Sequence, residues 1–230
     1  MPRDVGVLVV AAGVGRRAGG GVLKQYREIG GVPMLLRALR PFVSHPKVRH
    51  VVVALPATHA AAPPEWLAAL EGKALSFVAG GVERHSSVQK ALAALDPACS
   101  IVLVHDAARP FVERATIDAV IAAAREGTGA VAAVPLSDTL KEAGRDGTIR
   151  RTVPREELWR AQTPQGFPRA MLQRAHAAAG PGADATDDAM LVEQLGEPVR
   201  VIADSPSNFK VTTAEDLALA EAWAAVVQGR

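Results

Sequence analysis

A chain of 230 residues with 49% hydrophobic content is long enough to bury the core of one α/β domain. Its 26 basic and 24 acidic residues leave a net charge of +2 with no block of like charge, which argues against a nucleic-acid footprint. Cys99 is the only cysteine, which excludes an internal disulfide and a multi-cysteine metal site.

The first apolar run, 5–10, reads as a strand and is too short to span a membrane. Asp4 before it and Arg16-Arg17 after it are wrong for a signal peptide, so a cytoplasmic protein is expected. The strand ends in Ala11-Ala12-Gly13-Val14-Gly15-Arg16-Arg17, and Lys24 follows. Small residues let backbone N–H groups close on an anion. Cations packed beside such a loop suit chemistry on the phosphates, because they stabilise charge that builds on the equatorial oxygens and the leaving group. Residues 13–18 also fit the dinucleotide pattern G-x-G-x-x-G/A, but that pattern should open a helix at once. Here Gly19, Gly20 and Gly21 follow, and the second strand ends in Leu55-Pro56 without a ribose-binding acid. A triphosphate loop fits better.

A helix is expected from near Pro33, with Leu35, Leu36, Leu39 and Phe42 on one stripe. Strand 51–55, a loop at 60–64, helix 64–70 and strand 75–78 follow. Gly80-Gly81 then allows close ligand approach before a helix at 84–95. Ser86 or Ser87 either caps that helix or walls a base pocket, with Ser87 the polar contact. Strand 101–105 runs into His105-Asp106-Ala107-Ala108-Arg109-Pro110. An aspartate at a strand's carboxyl end suits Mg²⁺ bridging phosphates, and the bland alternative for Asp106 is a helix cap. His105 reads as a packed or hydrogen-bonded residue, since a phosphate nucleophile needs no base. Arg109 pairs with an acid or faces an anionic ligand, and both readings stand.

After helix 113–125 and strand 129–134 the alternation breaks. Asp146-Gly147 is a two-residue turn signal with polar extended flanks, so 136–156 reads as a projecting β-arm, of the kind that often clasps a partner subunit, with a floppy surface hairpin as the alternative. Residues 163–167 and Thr186-Asp187-Asp188 read as polar loops, the second mainly a helix start. Helices at 169–179, 187–195 and 214–227 and a strand at 199–202 complete the chain. Lys210 is a third candidate cation, and Thr213 and Asp216 look like a cap and a first-turn acid. Apolar strands alternating with helices imply a doubly wound, mostly parallel sheet covered on both faces. Gly13, Gly81 and Asp106 all fall at strand ends, where ligands of such sheets bind.

Together these segments are specific. The chain resembles the 2-C-methyl-D-erythritol 4-phosphate cytidylyltransferases of the non-mevalonate isoprenoid pathway. The likeness is carried by the 11–17 loop, Lys24-Gln25-Tyr26, Gly80-Gly81 with Arg84 and Ser87-Val88, residues 105–110, Asp138-Thr139-Leu140-Lys141, Thr163-Pro164-Gln165 and Asn208-Phe209-Lys210-Val211-Thr212. It implies a single Rossmann-like nucleotidyltransferase domain over 1–230, and a homodimer joined through the arm. It also implies attack of the sugar-alcohol phosphate on the α-phosphorus of CTP with Mg²⁺ present. By that likeness Arg17 and Lys24 stabilise the transition state, and Arg155 and Lys210 position the sugar phosphate. Ala11, Ala12, Gly13, Gly15, Gly81, Ser87, Asp106 and Ala107 surround CTP, with Asp106 at the metal. Thr139, Arg109 and Thr163 line the sugar-phosphate site, with Thr139 and Arg155 reaching the neighbouring subunit. Two departures are Val10, where many relatives have proline, and Val82, where many have an acid. Rivals are a sister enzyme for ribitol 5-phosphate, a CTP sensor without turnover and a dehydrogenase. Ala107-Ala108 favours methylerythritol phosphate over ribitol phosphate, and the cation cluster argues against a sensor.

Overall fold

In a strand, successive side chains point to opposite faces of the sheet, so a strand apolar throughout needs cover on both. The chain's first strand shows this: Val5, Val7 and Val9 enter one buried cluster and Leu8 enters another. The computed structural model describes residues 2–13, 23–68, 70, 74–180 and 185–228. Its strands are β1 (Val5–Val10), β2 (Glu28–Ile29), β3 (Val32–Pro33), β4 (Val48–Leu55), β5 (Ala74–Ala79), β6 (Ile101–Asp106), β7 (Gly129–Pro135), β8 (Leu140–Ala143), β9 (Ile149–Val153), β10 (Trp159–Pro168) and β11 (Val199–Ala203). Its helices are α1 (Met34–Val43), α2 (Ala57–Ala61), α3 (Glu65–Ala68), α4 (Arg84–Ala93), α5 (Arg114–Arg125), α6 (Arg169–Ala179), α7 (Asp188–Gln194) and α8 (Ala214–Gln228). Among the described residues no helix is long and apolar enough to cross a membrane.

Seven strands form one sheet in the order β11-β7-β10-β6-β1-β4-β5. Leu35, Leu39 and Phe42 of α1 and Ile117, Val120 and Ile121 of α5 cover one face. Val88 and Leu92 of α4, Met171 and Leu172 of α6, and Leu191 of α7 cover the other. The doubly wound arrangement therefore follows from the apolar runs. Ile117 is fully buried. Ile117→Val removes one methylene-sized contact there and is expected to cost about 1 kcal/mol, read as a lower urea midpoint at unchanged m-value.

Three expectations need correction. Residues 163–167 are not a loop: they lie in β10, which pairs antiparallel with both β6 and β7. The chain passes from β7 to β10 through a hairpin with no crossover helix, and an adjacent return of that kind is antiparallel. No apolar run marks this strand, because Gln162, Thr163 and Gln165 are polar, yet each is buried. Pro164 falls where the register shifts between Ala161 and Gln165, which suits a residue that cannot donate to the ladder. The second correction is the β8–β9 turn. It spans five residues, 144–148, rather than two, with Gly147 at φ +82°. Asp146 accepts from Thr148 N–H (3.1 Å) and Thr148 Oγ1 (3.0 Å), which holds the turn. The third is α2, a short helix over part of the region read as a loop at 60–64.

The β8–β9 hairpin is a two-stranded sheet separate from the main one. Every residue of β9 except Val153 is exposed, so the hairpin adds nothing to the core.

Candidate active site

The carboxyl ends of β1, β5 and β6 open on one cavity of about 680 Å³, and Gly13, Gly81 and Asp106 all line it, as their places at strand ends imply. Close approach between loops shapes its wall. A Cβ on Gly80 would lie 2.2 Å from the Ala12 Cβ, and one on Gly81 would lie 2.3 Å from the Ser86 Cβ. Glycine at 80 lets the loop after β5 lie against the loop after β1, and glycine at 81 lets it fold back onto the first turn of α4. Ser87 then ties this loop down. Its Oγ accepts from Gly81 N–H (3.0 Å) and donates to the Glu83 carbonyl (3.2 Å). Glu83 is the residue at the α4 cap, so Ser87 acts inside the first turn and lines the cavity. Val82 is fully exposed at the cavity wall.

Ala11, Ala12 and Ala107 also line the cavity. The Ala11 carbonyl accepts from Gln25 Nε2 (2.8 Å), and Gln25 is buried. That bond fixes the loop after β1 to the 3₁₀ turn Lys24–Tyr26. Lys24 on the same turn faces the cavity and donates from Nζ to the Val211 carbonyl (2.8 Å). Next to Val211, Lys210 donates to Asp106 Oδ2 (2.7 Å). Two lysines from distant segments thus line the same cavity, Lys24 bonded to the residue that follows Lys210. Gly15 and Arg17 lie outside the described residues.

Asp106 is the last residue of β6, and the next helix starts at Arg114, so it is not a helix cap. Burial alone would push its carboxyl up, but Arg84 and Lys210 outweigh that and hold it well below the usual carboxylate range. Arg84 Nε lies 3.3 Å from Asp106 Oδ1, and Arg84 Nη1 lies 2.6 Å from Asp188 Oδ2. Asp106 is therefore an anion held between two cations, with its face on the cavity.

Beneath it runs a directed chain of hydrogen bonds. His105 Nε2 donates to the Arg109 carbonyl (3.0 Å), since a carbonyl only accepts. Nδ1 is then free to accept from Thr163 Oγ1 (3.0 Å), and Thr163 Oγ1 accepts from Asp106 N–H (3.0 Å). Burial pushes the fully buried His105 down to about 4, so the neutral ring is the one present near pH 7. His105 is a hydrogen-bonded support, as the sequence suggests, and not a base. Arg109 is also buried: Nη1 donates to the Asn208 carbonyl (2.8 Å) and Nη2 to the Ala161 carbonyl (3.4 Å). These bonds stitch β10 and the 208–212 loop to the end of β6, and the guanidinium also lies in the field of Asp106 and Asp204. Thr163 and Arg109 lie outside the cavity lining, and so do Thr139 and Arg155. Both of these last two are exposed on the segment around the hairpin, where Arg155 donates to the Ser137 carbonyl.

A model of the family described as 2-C-methyl-D-erythritol 4-phosphate cytidylyltransferase matches residues 5–225. A protein of that name from Frankia casuarinae is 47% identical over 219 residues, covering 95% of this chain and 80% of its own length. One from Salinibacter ruber is 46% identical, covering 94% and 91%. The chain belongs to the 2-C-methyl-D-erythritol 4-phosphate cytidylyltransferase family. The solved cytidylyltransferase structure from Thermus thermophilus, 39% identical, superposes with a TM-score of 0.79 over 96% of this chain and 99% of that one. The mostly parallel sheet is thus the family's fold.

Two features of the site rest on bonds that no local pattern of residues shows. Arg84 was visible only as part of a family motif, and its link to Asp188 spans 104 positions with no local pattern to betray it. Gln25 stands in the sequence only as part of the Lys24-Gln25-Tyr26 motif, and it carries the bond to Ala11.

Proposed function

We propose that the chain is a CTP-dependent cytidylyltransferase that joins CTP to 2-C-methyl-D-erythritol 4-phosphate and releases pyrophosphate. The observation that carries this reading is the convergence of Lys24, Lys210 and an ionised Asp106 on one cavity at the carboxyl edge of the sheet, in a chain of this family.

An oxygen of the sugar-alcohol phosphate attacks the α-phosphorus of CTP, the new P–O bond forms, and the bond to the β-phosphate oxygen breaks. Negative charge grows on the equatorial oxygens and on the departing pyrophosphate. The Lys24 and Lys210 ammonium groups, together with Arg17, stabilise that charge without moving a proton. The attacking phosphate is already ionised near neutral pH, which agrees with a neutral, internally bonded His105 below the site. The backbone of Ala11, Ala12, Gly13, Gly15, Gly81 and Ala107 and the Ser87 hydroxyl hold the nucleotide. Among the described residues no group of three or more His, Cys, Asp or Glu side chains forms a metal cluster. A single ionised carboxylate suits Mg²⁺, which takes most of its ligands from phosphate oxygens and water. Asp106 fits as that carboxylate, and the ion would neutralise triphosphate charge there.

We also propose that 1–230 forms one nucleotidyltransferase domain working in the cytoplasm as a homodimer, without nucleic-acid or membrane partners. The exposed 136–156 segment would carry Thr139 and Arg155 to the neighbouring subunit's site, completing the sugar-phosphate pocket with Arg109, Thr163 and Lys210. The test of the reaction is pyrophosphate release from CTP and Mg²⁺ with methylerythritol phosphate or ribitol 5-phosphate. Turnover of methylerythritol phosphate is expected, and turnover of ribitol phosphate alone would overturn the substrate assignment. For the shared site, mixing inactive Arg155→Ala with inactive Lys24→Ala protomers is expected to restore activity in mixed dimers. No recovery after confirmed subunit exchange would refute a shared site.

A further inference from the structure

Asp188 does not line the cavity, yet it is built into place from three directions. Its carboxylate is 1% exposed. Its Oδ1 lies 2.9 Å from His176 Nε2 on α6. Gln165 of β10 accepts the Asp188 and Ala189 N–H groups on Oε1 (3.1 and 3.0 Å) and donates from Nε2 to Asp187 Oδ2 (2.8 Å). Asp187 in turn caps α7 through Met190 N–H (2.9 Å). The helix start therefore has its own cap, and the Asp188 carboxylate is left to other work. That work is on Arg84.

The two distances from Arg84 decide what Asp188 does. The guanidinium sits 2.6 Å from Asp188 but 3.3 Å from Asp106. It is anchored on the deeper carboxylate and touches the shallower one through Nε alone. A buried arginine facing a single carboxylate frequently closes on it as a two-nitrogen fork. Such a fork would engage both Asp106 oxygens and compete with Lys210 for Oδ2. Both Arg84 and Asp106 line the cavity, so the position of this guanidinium sets the charge pattern of its wall.

We propose that Asp188 is a positioning residue for nucleotidyl transfer: it holds Arg84 back from forking onto Asp106, keeping the Asp106 carboxylate shared with Lys210 and presented to the bound nucleotide. This rests on the cytidylyltransferase reading above. Asp188→Asn keeps the shape but loses the anchor charge. Its kcat/KM for CTP is expected to fall roughly tenfold or more while the protein stays folded by circular dichroism, with Asp188→Glu recovering part of the loss. Because Asp188 acts through Arg84, adding Asp188→Asn to Arg84→Gln should cost nothing further. Wild-type kinetics in a folded Asp188→Asn variant, equal losses in the Asn and Glu variants, or losses that multiply in the double variant would each overturn the proposal. If Asp188→Asn does not fold, Arg84→Lys decides, since a lysine reaches one carboxylate at a time. A drop in kcat/KM at unchanged melting temperature is expected, and wild-type kinetics would refute the proposal. Failure of the wild-type protein to consume CTP and methylerythritol phosphate would instead refute the reaction itself, so the two failures are distinguishable.

Discussion

Lys24→Ala is expected to lower kcat by about 10²- to 10³-fold, the scale of losing one donor aimed at transition-state charge. That corresponds to about 3–4 kcal/mol of lost transition-state stabilisation. Lys24 sits on a turn fixed from two sides: Gln25 bonds the Ala11 carbonyl, and Lys24 itself reaches the Val211 carbonyl beside Lys210. Its ammonium is thus held at the cavity before substrate arrives, so little reorganisation is needed as charge develops. Ground-state CTP carries much of its charge on the outer phosphates, and Lys210 and the backbone loops remain to bind it. The KM for CTP should therefore change by less than kcat. Steady-state pyrophosphate release with a parallel CTP titration by calorimetry separates the two. Weaker CTP binding at unchanged kcat would mark a nucleotide-binding protein whose lysine has no part in the chemistry.

Between pH 6.5 and pH 4, His105 should make the folded protein about 3 kcal/mol less stable. The sign follows from the buried ring. Its value drops from the ordinary 6.5 to about 4, because burial penalises the charged form. Across that window the unfolded chain takes up a proton that folded His105 refuses. The stability contributed is full above pH 6.5, declines as pH falls toward 4, and levels off below. His45 and His50, also lowered by burial, act in the same direction, so the wild-type slope sums several groups. His105→Gln isolates one of them: the amide keeps a donor for the Arg109 carbonyl but does not titrate. Urea midpoints measured from pH 7.5 to 4.5 should give a shallower slope for the variant, by up to about 1.4 kcal/mol per pH unit. An unchanged slope would show that His105 is not excluded from its proton by the fold. Below pH 4 a second loss sets in, as the unfolded chain takes up protons on carboxyls that the fold keeps ionised, Asp106 between Arg84 and Lys210 among them.

Much of the architecture was legible from local pattern. The runs that became β1, β4, β6 and β7 are built around stretches of consecutive apolar residues, 51–55 in β4 and 101–104 in β6, and a strand of that kind has few places to go except the middle of a covered parallel sheet. The stripe of Leu35, Leu39 and Phe42 announced α1, and Thr213 with Asp216 announced the start of α8, where Asp216 accepts from Thr212 and Thr213 N–H. The strand β10 was illegible for the opposite reason. Its buried residues Gln162, Thr163 and Gln165 are polar, and they belong inside only because their partners come from elsewhere. Thr163 needs His105, and Gln165 needs the first turn of α7.

The same division runs through the site. Glycines after apolar runs, and cations near them, are local facts, so the amino-acid sequence alone determined the nucleotide-binding edge, the candidate cations and the family. Tertiary structure alone decided which charges meet: that Lys210 and Arg84 share Asp106, that Asp188 anchors Arg84, and that Arg109 serves backbone carbonyls behind the cavity. Periodicity records which face of an element is buried, because that depends on neighbours a few residues away. The partners of these buried charges lie between 22 and 104 positions away, and only the packing of whole elements selects them.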